Sequence, residues 1–351
     1  MVAVFDGHND FLCRVMDKPA ARTRLWREGD GTGHLDAQRC AAGGMAGGLF
    51  AIYVPSPATM SMADYNALFD KAPYQIPLPA PLDLAPAQAH AFQMAGHFHA
   101  MAREIDGFTH CLTATQIEET MARGDFAAVL HMEGAEAIDE SLDALHLFHA
   151  MGMRSLGPVW SRPTIFGEGV PFAYPATGDI GGGLTDAGKR LVKECNALKM
   201  MIDLSHLNEK GFDDVARLSD APLVATHSNV QAICPSSRNL TDRQLAVIKE
   251  SGGMVGLNFA VSFLRPDGRK DTAMGWDVVL RHIDHLIEKL GEDHVGFGSD
   301  FDGAMLPDIL SDAAALPALI AQLEAHGFGA ELIEKLAHRN WINVLRRTWG
   351  A

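Results

Sequence analysis

Short apolar runs recur along the chain, and many stop at a residue with chemistry to offer. Met200, Met201, Ile202 and Leu204 form one run that ends at His206; Pro222, Leu223, Val224 and Ala225 form another that ends at His227. Runs of this length, bounded by turn residues and separated by an amphipathic stretch, predict buried parallel strands joined by a helix. Each strand then delivers one imidazole from its carboxyl end. The same pattern appears at residues 2–5, ending in DGHND, at 43–54, ending near Tyr53, and at 126–130, ending in HMEG. It recurs at 154–160, at 253–259 and at 294–298, the last ending in GSDFDG. Helical periodicity marks residues 87–105, 142–151, 185–198 with Thr185 as N-cap, a segment capped by Thr241, 276–290, and a closing helix at about 330–348.

Eight strands with mainly helical returns are what an α/β fold of the (β/α)8 TIM-barrel type needs. A doubly wound open sheet is the alternative, but no glycine fingerprint for a dinucleotide or phosphate follows the first strand. Residues at about 55–86 are proline-rich with few periodic positions, and read as an excursion on the barrel face with little regular structure. A second long loop, 161–183, is rich in Gly and Pro. No charged linker or low-complexity tract divides the chain, so 1–351 is expected to be one barrel domain.

Composition narrows the partners. The formal charge of −15 makes nucleic acid and anionic membrane poor ones. No apolar run approaches the roughly 20 residues of a membrane span. The opening MVAVFDGHND lacks the features of a signal peptide, which favours a cytoplasmic location. Cys13, Cys40, Cys111, Cys195 and Cys234 are scattered and odd in number, as reduced buried thiols would be. The balance leaves room for a homodimer. Sixteen histidines are too many to be ligands together, so each needs its own argument.

Five predicted strand ends carry ligating or acid/base groups: His8 and Asp10, Glu133, His206, His227 and Asp300. In extended backbone, His8 and Asp10 point to one side. The set exceeds what one tetrahedral zinc uses and suits two divalent ions bridged by a carboxylate, with Asp300 spare to take and return a proton. Each member also has an ordinary reading. Glu133, followed by glycine, fits a solvated loop; Asp300 fits a cap, and Asp302 competes with it. His131, two before Glu133, reads as a supporting residue. Arg238 lies eleven residues beyond His227, where its planar fork could clamp a carboxylate or form a surface ion pair.

The motifs DGHND, GGLFAIYVP, HMEGAEAID, GMRSLG, GLTDAGKRLVKECNALKMMIDLSHL, APLVATHS, SRNLTD and VGFGSDFDG run nearly end to end. With them the chain resembles the renal (membrane) dipeptidase family, peptidase family M19. The resemblance implies a metal-dependent hydrolase barrel with two zinc ions. His8 and Asp10 would bind one, Glu133 would bridge, and His206 and His227 would bind the other. It further implies that Asp300 is the catalytic aspartate, Arg238 the receptor of the substrate's carboxylate, and Tyr53 a pocket residue. One position departs: where renal-type dipeptidases carry a histidine after strand four, this chain has Trp160, which donates one hydrogen bond but neither titrates nor ligates metal. The expected activity is hydrolysis of dipeptides, with a D-residue tolerated at the carboxyl-terminal position, by attack of a metal-bridging hydroxide. An N-acyl-amino-acid amidohydrolase on the same ions is the second reading, and a non-catalytic small-molecule binding barrel the third.

Overall fold

In the computed structural model, which describes residues 1–350, eight parallel strands curl about one axis with helices outside. They are β1 (Val4–Asn9), β2 (Met45–Tyr53), β3 (Phe126–Glu133), β4 (Met153–Gly157), β5 (Met201–Ile202), β6 (Val224–Ala225), β7 (Met254–Leu257) and β8 (Val295–Phe297). Strands β1 to β5 are hydrogen-bonded in order, and so are β6 to β8. Two seams close the circle. Asp203 bridges to Val224, with Leu204 N–H donating to the Val224 carbonyl at 2.8 Å. Asn9 bridges to Phe301, with Asp10 N–H donating to the Phe301 carbonyl at 2.8 Å and Asp300 N–H to the His8 carbonyl at 3.1 Å. Both seams lie where chemistry-bearing residues leave the ladder.

Side-chain alternation divides the core. Phe5, Leu49, Val129, Met201, Val224 and Met254 belong to an inner cluster. Val4, Phe50, Leu130, Leu156 and Leu257 belong to the larger cluster shared with the surrounding helices. The inner cluster is completed by Trp341 and Trp349 from the last helix, Asn340–Trp349. Trp341 is fully buried, and its indole N–H donates to the Phe297 carbonyl at 2.8 Å. Gly7 makes the space: a Cβ there would stand 2.2 Å from the Trp341 ring.

Helix starts follow their caps. Thr185 accepts from Gly188 N–H at the head of Asp186–Ala197, and Thr241 forms a full capping box with Gln244 before Asp242–Glu250. The helix Trp276–Leu290 has the bounds its periodicity predicts. The closing helix is divided, with a wide π turn at Lys335–Arg339 between Ala330–Glu334 and Asn340–Trp349.

The excursion has more regular structure than its sequence suggests. Ser61 caps a helix, Met62–Ala67, and a strand, Tyr74–Ile76, pairs antiparallel with Phe172–Tyr174 from the second long loop. A three-residue strand whose partner lies about a hundred residues away leaves no local periodic signal. Another short strand, Phe108–His110, pairs with the start of β3 and, at three residues, is too short to show a periodic pattern. Strand β4 ends at Gly157, so Trp160 belongs to the following loop and not to the strand itself; Pro158 lacks the N–H that would continue the ladder. Among the described residues, no helix is long and apolar enough to cross a membrane.

Candidate metal centre and substrate pocket

At the carboxyl end of the barrel the strand ends converge on Glu133. Its Oε1 lies 3.0 Å from His206 Nε2, 3.4 Å from His227 Nε2 and 3.8 Å from His8 Nε2. His8 Nε2 lies 3.3 Å from Asp10 Oδ2. Three overlapping sets of potential donors meet here: Glu133, His206 and His227 on one side, His8, Asp10 and Asp300 on the other, and His8, Asp203 and His227 behind them. The six residues predicted from sequence are therefore together. The route to one of them differs from expectation. Asp10 has left the extended conformation (φ −110°, ψ 27°) and stands at the N-cap of Phe11–Asp17, so a turn, not strand alternation, brings it beside His8.

Two of these residues are held in unusual backbone. His206 has φ +68° and Asp300 φ +61°. The left-handed region is uncommon for non-glycine residues, and such positions gather at functional sites. Gly303 backs the carboxylates so closely that a Cβ would sit 2.0 Å from Asp10 Oδ2 and 2.5 Å from Asp300 Oδ1.

The electrostatics suit a cation. Burial would push the His8 imidazole down, but the Glu133 and Asp10 carboxylates outweigh it and carry it up to about 10. Burial raises the Glu133 and Asp300 carboxyls. It pushes His206 and His227 well below the usual imidazole value, so both are neutral and can offer a lone pair. Both ring nitrogens of His8 are buried without an aligned hydrogen-bond partner, despite the short approach to Asp10. A buried carboxylate cluster gathered around a partnerless imidazole needs positive charge. The donor set, imidazole nitrogen with carboxylate oxygen, fits divalent zinc.

Outside the donors, Asn258 Nδ2 donates to Asp300 Oδ2 at 2.9 Å. His131 turns its Nδ1 to Ser155 Oγ at 2.8 Å and its Nε2 toward Asp203, 3.6 Å away, so it supports the cluster from behind. Asp302 faces away, accepting from His34 N–H at 2.6 Å and pairing with Arg14 at 3.4 Å. Its competition with Asp300 ends there.

Arg238 is buried beside the site, not on the surface. Its Nη2 donates to the His227 carbonyl at 3.0 Å and its Nη1 to Ser228 Oγ at 3.3 Å, while its Nε has no partner. The guanidinium lies 5.4 Å over the Phe263 ring, and the Asp300, Glu133 and Asp203 carboxylates act on it only through space, without an ion pair among the described residues. Burial lowers it to about 10, which leaves it cationic at neutral pH. Tyr53 and Trp160 meet edge to face at 5.2 Å, and Trp160 continues to Phe172 at 5.6 Å and His206 at 5.7 Å. This aromatic wall is braced by Arg162, which is fully buried and donates to Glu136, Val54 O and Ser56 Oγ.

Sequence reasoning missed Asp203, Arg162 and Ser161, whose Oγ lies 2.8 Å from His206 Nδ1. The signal for Asp203 was present in DLSH, three residues before His206, but a buried strand-end aspartate is visible as a partner only once its neighbour strand is placed.

A closed parallel barrel with acid/base and ligating groups at its carboxyl end defines a metal-dependent hydrolase. The match of residues 1–349 to the family described as membrane dipeptidase (peptidase family M19) is more particular. The chain belongs to that family and is a metallo-dipeptidase, a hydrolase of peptide bonds. A crystal structure of a metallo peptidase from Rhodobacter sphaeroides, liganded with a phosphinate mimic of the dipeptide L-Ala-D-Ala, is 61% identical over 99% of both chains, with a TM-score of 0.98. The crystal structure of dipeptidase AC, a metallo peptidase of family M19, is 61% identical with a TM-score of 0.97, covering 100% of this chain and 99% of that one. An uncharacterized protein in the pqqA 5' region of Klebsiella pneumoniae is 51% identical over 239 residues, 68% of this chain and 88% of its own.

Proposed function

We propose that the protein is a zinc-dependent dipeptidase with two ions per chain that accepts a D-residue at the carboxyl-terminal position of its substrate. His8 and Asp10 would hold one ion, His206 and His227 the other, and Glu133 would reach both. Bound there, zinc acidifies a water and polarises a carbonyl oxygen. Asp300 takes the proton of the attacking water and returns it to the nitrogen that leaves, so that one water and one peptide bond yield two amino acids. The Asn258 amide holds Asp300 Oδ2 and fixes the plane of the carboxylate. Tyr53 and Trp160 form the apolar side of the pocket. The Trp160 indole can orient a substrate carbonyl but takes no part in proton transfer.

The observation that carries the substrate assignment is Arg238: a cationic guanidinium, 3% exposed, without a carboxylate partner. A buried unpaired charge is costly unless a ligand completes it, and the free carboxylate of a dipeptide does so bidentately. The ligand of the Rhodobacter relative, a mimic of L-Ala-D-Ala, supports a D-residue at that end.

The test uses zinc-loaded protein on L-Ala-D-Ala, L-Ala-L-Ala, L-Ala-D-Ala amide and N-acetyl-D-Ala. The free dipeptides should be the good substrates. Arg238→Met should lose about one to two decades of kcat/KM on L-Ala-D-Ala, a charge-assisted contact being worth roughly 1.5–3 kcal/mol, and little on the amide. Equal losses on both would assign Arg238 to the fold. Faster turnover of N-acetyl-D-Ala than of either dipeptide would replace the dipeptidase reading with amidohydrolysis.

A further inference from the structure

Three imidazoles surround Glu133, and they are not held alike. His227 Nδ1 lies 2.8 Å from Thr226 Oγ1, and Thr226 Oγ1 lies 2.6 Å from Asp203 Oδ2. The other oxygen of Asp203 accepts from Ser205 N–H at 2.9 Å and from Thr226 N–H at 2.8 Å. The Thr226 hydroxyl donates to Asp203 Oδ2, and its single proton is spent there. The hydroxyl then meets His227 with a lone pair, and only a ring carrying its proton on Nδ1 can complete the bond. This leaves the lone pair of His227 on Nε2, the atom that faces Glu133 and stands 3.1 Å from His206 Nε2. His206 Nδ1 lies 2.8 Å from Ser161 Oγ, with no carboxylate among the described residues behind that hydroxyl in the bond network, and His8 has no aligned hydrogen bond at either nitrogen.

We propose that Thr226 and Asp203 are positioning residues that set the tautomer of His227, making it a ready Nε2 ligand for the metal shared with His206 and Glu133. The inference rests on the metal-centre reading above; Thr226 offers no ligand, and Asp203, although close enough to His8 and His227 to be a candidate donor, has both oxygens engaged by Ser205 N–H, Thr226 N–H and the Thr226 hydroxyl. Their placement follows from the barrel seam. Asp203 sits at the end of β5, where it bridges to Val224, and Thr226 follows β6, so the relay crosses the two strands whose ladders do not otherwise join. It is buried throughout, with Asp203 1% and Thr226 0% exposed, so water does not compete for its protons.

The relay makes a directional prediction. In Asp203→Asn the amide oxygen keeps the two backbone N–H bonds, which need an acceptor, and the NH2 group then faces Thr226. The threonine hydroxyl must accept there, its proton turns to His227 Nδ1, and the ring proton moves to Nε2, where it blocks ligation. Shape is almost unchanged. Thr226→Val removes the hydroxyl at nearly constant volume, and Thr226→Ser keeps it.

The experiment measures zinc affinity of the apoprotein by competition with a chromophoric chelator, with thermal melting as a control for folding. Asp203→Asn and Thr226→Val should weaken one of the two zinc affinities by roughly 10- to 100-fold, the usual effect of losing a partner that orients a ligand. Thr226→Ser should stay close to the unmodified protein. The proposal is overturned if Asp203→Asn and Thr226→Val bind both ions as tightly as the unmodified protein. It is also overturned if Thr226→Ser loses as much as Thr226→Val, since packing and not the hydroxyl would then be responsible. An unmodified protein that binds fewer than two zinc ions would instead count against the binuclear reading, an outcome visible before any variant is compared.

Discussion

The two ends of the barrel share one strand architecture and put it to opposite uses. At the amino end the inward positions are Phe5, Leu49, Val129 and Met254, closed by Trp341, and the one polar atom of that indole is spent on the Phe297 carbonyl. At the carboxyl end, a few residues along the same strands, the inward positions become His8, His131 and Glu133. Both ends are buried, so the difference is not exposure. One end is satisfied by packing alone. The other is a set of polar groups satisfied by each other, by hydroxyls, and in His8 by nothing but nearby carboxylates. Stability is thereby separated from chemistry along the barrel axis, as expected of parallel barrels whose loops carry the reaction.

The strongest way to break this contrast is Trp341→Ala. Deleting a fully buried tryptophan should cost about 3–5 kcal/mol of stability in urea unfolding, while kcat per folded molecule stays unchanged. A stable protein with impaired turnover would show that the plug shapes the site. Asp300→Asn should do the reverse: zinc content and melting stay near normal, and kcat falls roughly 10²-fold or more. Near-normal turnover would take Asp300 out of proton transfer and return it to the capping role that its sequence also allowed.

A third test sharpens the boundary between the ends. His282, on the outer helix Trp276–Leu290, accepts from Val230 N–H at 3.2 Å through Nδ1 and lies 2.9 Å from the Leu264 carbonyl through Nε2. It thus ties the helix to loops that follow two strands at the carboxyl end. Burial lowers its pKa from 6.5 to about 4, and protonation would also break the Val230 bond. The unfolded chain therefore takes up this proton as pH falls through about 6.5, and the folded protein only near 4. Stability from this group is complete above pH 6.5, is lost as pH falls from there toward 4, and is flat below. The total is up to roughly 3 kcal/mol. Urea midpoints between pH 7.5 and 4.5 should fall less steeply for His282→Gln than for the unmodified protein. Parallel slopes would show that other groups carry the acid sensitivity.

The sequence by itself determined the strand and helix alternation, the caps at Thr185 and Thr241, and the identity of the six converging residues. These are local facts: apolar runs of strand length, helical periodicity, and a reactive residue at the stop of five of the eight runs. Tertiary structure decided what depends on distant neighbours. It turned Asp10 toward His8 through a helix cap, sent Asp302 away to His34 and Arg14, and buried Arg238 without an anionic partner. It paired Tyr74–Ile76 with Phe172–Tyr174, and it placed Asp203 against Thr226 across the seam between β5 and β6. None of these could be read from spacing, because a hydrogen bond or an unpaired charge is a property of two positions. Only the closed barrel brings such pairs, some of them nearly three hundred residues apart, within three or four ångströms of each other.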